Sequence, residues 1–255
     1  MTDQDRPQQP SEPPIQPPPE TPAQPPAQVP PVTSPPPASV PPTAPAEWQV
    51  PPGGRSDSYP ISVDFDEAEP QNRLWGLLWL GIFVRAILLI PHYIILFVIG
   101  IAVGLSVLVT WIWILASGRL PDWAHSLYQT WFRWSTRVTA YGYLLTGRYP
   151  PFSAVADQPV RVDIVPDEPI NRLWGIPIIG WLVRSVILIP HFIVLWILAI
   201  LVGFILIFVW VPILISGRQA DFVYTVVGGF VRWTNRVSAY FLYLTDRYPP
   251  FRLTN

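Results

Sequence analysis

The chain has no cysteine and no lysine. Without thiols it can build neither a disulfide framework nor a thiolate metal site, and its residues do not encode a redox compartment. Charge is scarce as well. Only 13% of the 255 residues are charged, where roughly 25% is usual. The all-arginine basic complement, with abundant proline and alanine, fits a GC-rich coding sequence. A net charge of -1 with no basic block argues against a nucleic-acid partner. The sequence has no His/Asp/Glu cluster at metal-ligand spacing and no glycine-rich phosphate loop. Ser117 and Ser216 sit in "ASGR" and "ISGR" rather than in a nucleophile elbow. They read as helix stops, with glycine past the end and arginine answering the helix dipole. The acid pairs Asp64/Glu69 and Asp163/Asp167 fall in solvated strand and turn regions. No catalytic residue, metal or cofactor is therefore expected, and the chain reads as a non-enzyme.

What the sequence does contain is proline, aromatics and long apolar runs. Residues 1–58 hold 20 of the 34 prolines. This segment reads as a disordered tail sampling extended polyproline II conformations, and it would serve as a tether or a docking arm. No apolar run follows Met1, so no secretory leader is expected.

From Tyr59 the sequence repeats. Residues 59–152 align with 158–251 at a constant offset of 99 without a gap, and 42 of the 94 pairs are identical. Residues 153–157 link the copies. An ungapped repeat of this length means one structural unit used twice. Each copy opens with an alternating stretch, "YPISVDFD" or "QPVRVDIV", that predicts a strand of about six residues. A 43-residue apolar block follows, Leu74 to Ala116 and Leu173 to Ile215, and then a helix over 122–146 or 221–245. Arg-Tyr-Pro-Pro-Phe ends each copy, because proline forbids helix continuation.

About 20 apolar residues cross a bilayer core. Forty-three suit two crossings, so the block reads as a hairpin: Trp75–Ile90, a break at Pro91-His92, and Tyr93–Ala116, with twin legs Trp174–Ile189 and Phe192–Ile215. The alternative is an interfacial or re-entrant segment over 72–83, followed by one long helix kinked at Pro91. The hairpin is favoured because it puts the arginines on one face, cytoplasmic together with the N-terminus. The small-xxx-small pairs Gly100/Gly104 and Ala199/Gly203 suggest close helix packing between repeats, or a seam for self-association.

The third part is strongly amphipathic. Trp131, Trp134, Val138, Tyr141 and Leu145 share one side; Arg133 and Arg137 occupy the other, as do Arg232 and Arg236 in the second copy. Such a helix is expected to lie in the membrane interface with its arginines on lipid phosphates. Arg85 with His92, and Arg184 with His191, are ionisable residues inside or bordering the apolar block. They would line a polar path or hold a headgroup, or else mark the far interface by snorkelling.

The series "VRxxxxIPH", "SGR", "RWxxRVxAY" and "LTDRYPPF" resembles a bacterial membrane protein family catalogued as domain of unknown function 4389. The first copy departs from it with Gly147 in place of Asp246. The resemblance implies a membrane location and no established activity. The expected fold is all-α integral membrane, built of two tandem repeats, each with a short strand, a transmembrane hairpin and an interfacial helix. The expected function is a non-enzymatic organiser of lipids or partner proteins at the cytoplasmic face of a bacterial membrane. A small transport component and a lipid-modifying enzyme are the alternatives. Expected partners are anionic membrane lipids, a protein bound by the tail, and a further copy of the chain.

Overall fold

The computed structural model describes residues 59–67, 70–77, 80–153, 159–165 and 169–255. The proline-rich tail and most of the predicted linker lie outside the described residues.

The predicted strands form as β1 (Ile61–Phe65) and β2 (Val160–Ile164), and they pair with each other antiparallel. Alternation drives this: Ile61, Val63, Val160, Val162 and Ile164 turn inward to the core, while Asp64 and Arg161 face out. The register centres on Val63 opposite Val162, which are repeat twins, with Ile61 opposite Ile164 and Phe65 opposite Val160. A pseudo-twofold axis therefore passes through the sheet.

The predicted hairpin is not formed. In the first copy α1 (Leu80–Ser117) runs straight through Pro91 as 38 residues of helix. The second copy makes α3 (Ile179–Ile187), α4 (Ile189–Phe208) and α5 (Trp210–Ser216), which follow one another with single-residue interruptions at Leu188 and Val209. Proline 91 removes one backbone donor but does not reverse the chain. The Tyr149 hydroxyl donates to the Leu88 carbonyl at 3.0 Å in the turn that the proline opens, and Tyr248 does the same at Ile187 at 3.4 Å. The alternative comes closer, since a short lead-in precedes one long helix, although that helix already begins at Leu80 inside the 72–83 segment. The lead-ins are 3-10 turns, Arg73–Gly76 and Arg172–Gly175, capped by the side chains of Asn72 and Asn171.

Each long helix ends at a left-handed glycine, Gly118 or Gly217, with φ 71° and 73°, as the helix-stop reading of "SGR" predicts. The chain then folds back as α2 (Asp122–Gly142), or as α6 (Asp221–Val223), a π segment (Tyr224–Gly228) and α7 (Gly229–Phe241) end to end. The aromatic side of these helices, expected at headgroup depth, packs instead on the long helix. Leu89, Leu96, Trp134, Val138 and Tyr141 form one buried cluster, and Leu188, Leu195, Trp233, Val237 and Tyr240 form its twin.

The two copies exchange their N-terminal arms. Arg133 of α2 donates to Val162 of β2 at 3.2 Å, and Arg232 of α7 donates to Val63 of β1 at 2.9 Å. Each strand thus lies on the return helix of the other copy as aligned. Gln71 N–H donates to the Gly217 carbonyl and Ile170 N–H to the Gly118 carbonyl, both at 2.8 Å. The 3-10 turns cross as well: a Cβ built on Gly76 would come 2.5 Å from the Leu214 nitrogen, and one on Gly175 2.3 Å from the Leu115 nitrogen. Only glycine permits that approach. Because each arm seats at the far end of the other copy's long helix, α1 and α3–α5 run antiparallel about the axis. Gly175→Ala is expected to lower stability by about 1–3 kcal/mol through overpacking, more than Gly104→Ala, whose Cβ would meet nothing within 4 Å. Thermal unfolding in detergent checks this.

Candidate functional site

Arg85 and Arg184 are fully buried. A buried guanidinium must find acceptors, because leaving it bare costs several kcal/mol. Arg85 Nη1 donates to the Tyr141 and Thr146 carbonyls, both at 2.7 Å, and its guanidinium lies 4.7 Å from the Trp75 ring and 4.2 Å from that of Tyr141. Arg184 repeats this with the Tyr240 carbonyl, with Thr245 at 3.0 Å, and with the rings of Trp174, Tyr240 and Tyr243 at 4.4–4.7 Å. It also pairs with the Asp246 carboxylate, where the first copy has Gly147. The carbonyls of Thr146 and Thr245 are presented by a left-handed turn at Leu144 and Tyr243, φ 58° and 62°. That conformation costs a non-glycine residue about 1–2 kcal/mol. Amide groups of Gln71 and Gln219 anchor the first of these turns by donating to the Leu144 carbonyl, each at 3.0 Å.

Seven residues, about two helical turns, further along sit His92 and His191, also fully buried. Trp134 Nε1 donates to His92 Nδ1 at 3.0 Å, and Trp233 does the same to His191. Accepting at Nδ1 places the ring proton of each neutral imidazole on Nε2. Phe152 stacks on His92 with centroids 4.0 Å apart, and Phe251 stacks on His191 at 3.9 Å. The Arg-Tyr-Pro-Pro-Phe box thus closes over the histidine, with its tyrosine on the proline turn and its phenylalanine on the imidazole. Arginine, histidine, tryptophan and the closing box form one lock in each copy. Nothing in this geometry opens Arg85, His92, Arg184 or His191 to a solute path.

The four arginines expected on lipid phosphates are held inside the fold. Arg137 and Arg236 are buried. Arg137 donates to the Val160 carbonyl at 3.4 Å and Ser153 at 3.3 Å, and Arg236 donates to the Thr254 carbonyl at 2.6 Å and to that of Arg252. Burial, with the nearby Arg252 charge, pulls the Arg236 guanidinium down to about 10, so it stays charged at neutral pH. Arg133 and Arg232 are half-buried on strand carbonyls. These side chains fasten strands and chain ends to α2 and α7, because unpaired edge carbonyls of a two-stranded sheet require donors. Gly104 and Ala199 are exposed, Gly100 touches Trp131, whose Nε1 would lie 3.6 Å from an added Cβ, and Gly203 borders a small space shared with Ile82, Gly142 and Leu144 of the first copy.

Sequence reasoning missed the space at the axis. Between α2 and α7 lies a cavity of about 390 Å³ bordered by twin positions of both helices, among them Trp131/Phe230, Ser135/Thr234 and Thr139/Ser238. Thr136 donates to its twin Asn235 at 2.9 Å across the axis. The signal was present in the repeat alignment, where small polar residues recur at the same positions on the two helices, although none of those pairs is identical. Among the described residues no group of His, Cys, Asp or Glu is arranged to hold a metal.

Trp134→Phe is expected to leave His92 Nδ1 without its donor and to cost about 1–3 kcal/mol. Asp246→Asn is expected to cost about as much by weakening the Arg184 pair, which is partly exposed on the carboxylate side. Both are read as a fall in unfolding midpoint in detergent.

No curated protein and no solved structure matches the chain. A family model described as domain of unknown function (DUF4389) matches residues 80–154 and again 179–252, each match running from the long helix to the closing box and omitting the exchanged arm. These two matches cover more than half of the 255 residues, and the chain belongs to the DUF4389 family, carrying its unit twice.

Proposed function

We propose that the protein is a non-enzymatic, lipid-organising membrane protein whose two long helices lie in the plane of one leaflet. Two stretches, Gly81–Ser117 of 37 residues and Ile189–Ser216 of 28 residues, are long and apolar enough to cross a membrane. Their outer faces carry exposed apolar side chains from end to end: Phe83, Ile87, Phe97, Ile101, Leu105 and Ile112 on α1, and Phe192, Trp196, Ile200 and Phe204 on α4. An uninterrupted apolar face of this size on a protein surface marks a membrane or protein contact.

The observation that carries the in-plane reading is the height of the sheet. Gly100, near the middle of α1, faces Trp131, and two residues on Arg133 holds β2. A bilayer crossed by α1 would thus bring Asp64, Arg161 and the sheet edges to mid-depth, where open edges and charges are strongly disfavoured. Rotating the molecule so that the axis stands along the membrane normal puts the sheet, α2 and α7 in water and leaves the apolar faces in lipid. Length agrees, since α1 extends roughly 57 Å against about 30 Å of hydrocarbon. The exposed Arg73 and Arg218 at one end of the helix pair, and Arg119 and Arg172 at the other, then sit at headgroup level and attract anionic lipids.

Two antiparallel crossings are the second reading, favoured by span length alone, and they would divide these arginines between the two faces. The chain lacks cysteine, so single spin labels at Phe83, Phe97 and Ile112 in vesicles test the choice. In-plane helices give equal immersion depths at all three sites. Crossing helices give a maximum at Phe97 and shallow values at the ends, which would overturn the reading.

A further inference from the structure

The axial cavity is uncharged along its lining, and its surroundings differ between the two copies. Its polar lining is Ser135, Thr136, Thr139, Tyr143, Asn235 and Ser238, and no carboxylate, arginine or histidine borders it. Thr139 and Ser238 are twin hydroxyl positions on its wall. A charged headgroup would have to shed its water with no counter-charge to receive it. Alcohols match, because hydroxyls both donate and accept.

Beside this chamber lies a second space of about 350 Å³, and Thr139 and Tyr143 border both. Its other walls are Ile82, Ala86, Leu89, Tyr93 and Gly142, apolar but for the tyrosine hydroxyl. This annex arises from broken symmetry. The twins of Ile82 and Gly142 are Trp181 and Phe241, whose rings pack 5.9 Å apart in the second copy. Two bulky rings in one copy thus correspond to an isoleucine and a glycine in the other. The two volumes fall within the range of about 300–1,000 Å³ usual for small-molecule sites.

We propose that the chamber and its annex bind one neutral, alcohol-headed lipid, with its hydroxyl end against Thr139, Asn235 and Ser238 and its hydrocarbon chain past Tyr143 into the space beside Gly142. The site takes a monoacylglycerol-type molecule rather than a phospholipid. It lies between helices of the folded chain, so binding in detergent micelles does not depend on how the protein sits in a membrane. The two readings therefore fail separately.

Native mass spectrometry of the full chain in micelles tests this with 1-monooleoylglycerol and, as the charged comparison, a phosphatidylglycerol. A saturable one-to-one adduct with monooleoylglycerol is expected, together with little adduct with phosphatidylglycerol. Thr139→Val removes a hydroxyl from the wall shared by both spaces at constant shape and is expected to weaken the adduct about fivefold. Gly142→Phe writes the second copy's residue into the first and is expected to weaken it by about tenfold or more, with the unfolding midpoint measured alongside. Equal loading of phosphatidylglycerol, non-saturable uptake, or wild-type loading by the variants would overturn the proposal. If Gly142→Phe fails to fold, Thr139→Val decides it alone.

Discussion

A guanidinium cannot be sealed from water unless backbone carbonyls are brought to it, and in each copy of this protein that requirement organises the chain. Arg85 and Arg184 each need two carbonyls from the end of the return helix. Meeting that need fixes where α2 and α7 stop, forces a left-handed residue at Leu144 and Tyr243, and directs the following Tyr-Pro-Pro-Phe segment back over the long helix. Once there, the tyrosine reaches the proline turn and the phenylalanine covers the histidine. Residues 60 positions apart in sequence thereby become one cluster, and a sharp change at any member would be felt by the others.

Much of this was legible in the sequence, and for identifiable reasons. The constant offset of 99 gave the two copies, the alternation at Ile61–Phe65 gave the strand, and "SGR" gave the helix stop, because each depends on local chemistry. The hairpin failed because proline marks a lost hydrogen bond and not a reversal. Whether a helix continues through it depends on distant donors such as Tyr149, which no local pattern encodes. The amphipathic pattern of α2 was read correctly as two-sided but assigned to the wrong neighbours. Its aromatic side serves α1, and its arginines serve strands. A side chain needing acceptors does not declare in sequence whether they are phosphates or carbonyls.

The fold formed by the two copies is amphipathic in the way a single surface helix usually is. One layer presents apolar side chains along two antiparallel helices, and the opposite side carries a charged two-stranded sheet. Polar groups of α2 and α7 lie between them, some turned to the sheet and some to the axial cavity. This layering explains how a chain with so few charges can still bury several arginines. They sit at the seam between the layers, where carbonyls from both sides are available.

Arm exchange between the two copies also bears on how such a fold came to hold one unit twice. A lone unit would leave its strand and glycine turn without a seat, and would find one only on a second molecule. Joining the units in one polypeptide replaces a concentration-dependent meeting with an intramolecular one, at an effective concentration in the millimolar range. Covalent linkage also releases the twin positions from having to be identical. Gly142 and Phe241 can then differ, so a pseudo-symmetric protein gains a left and a right.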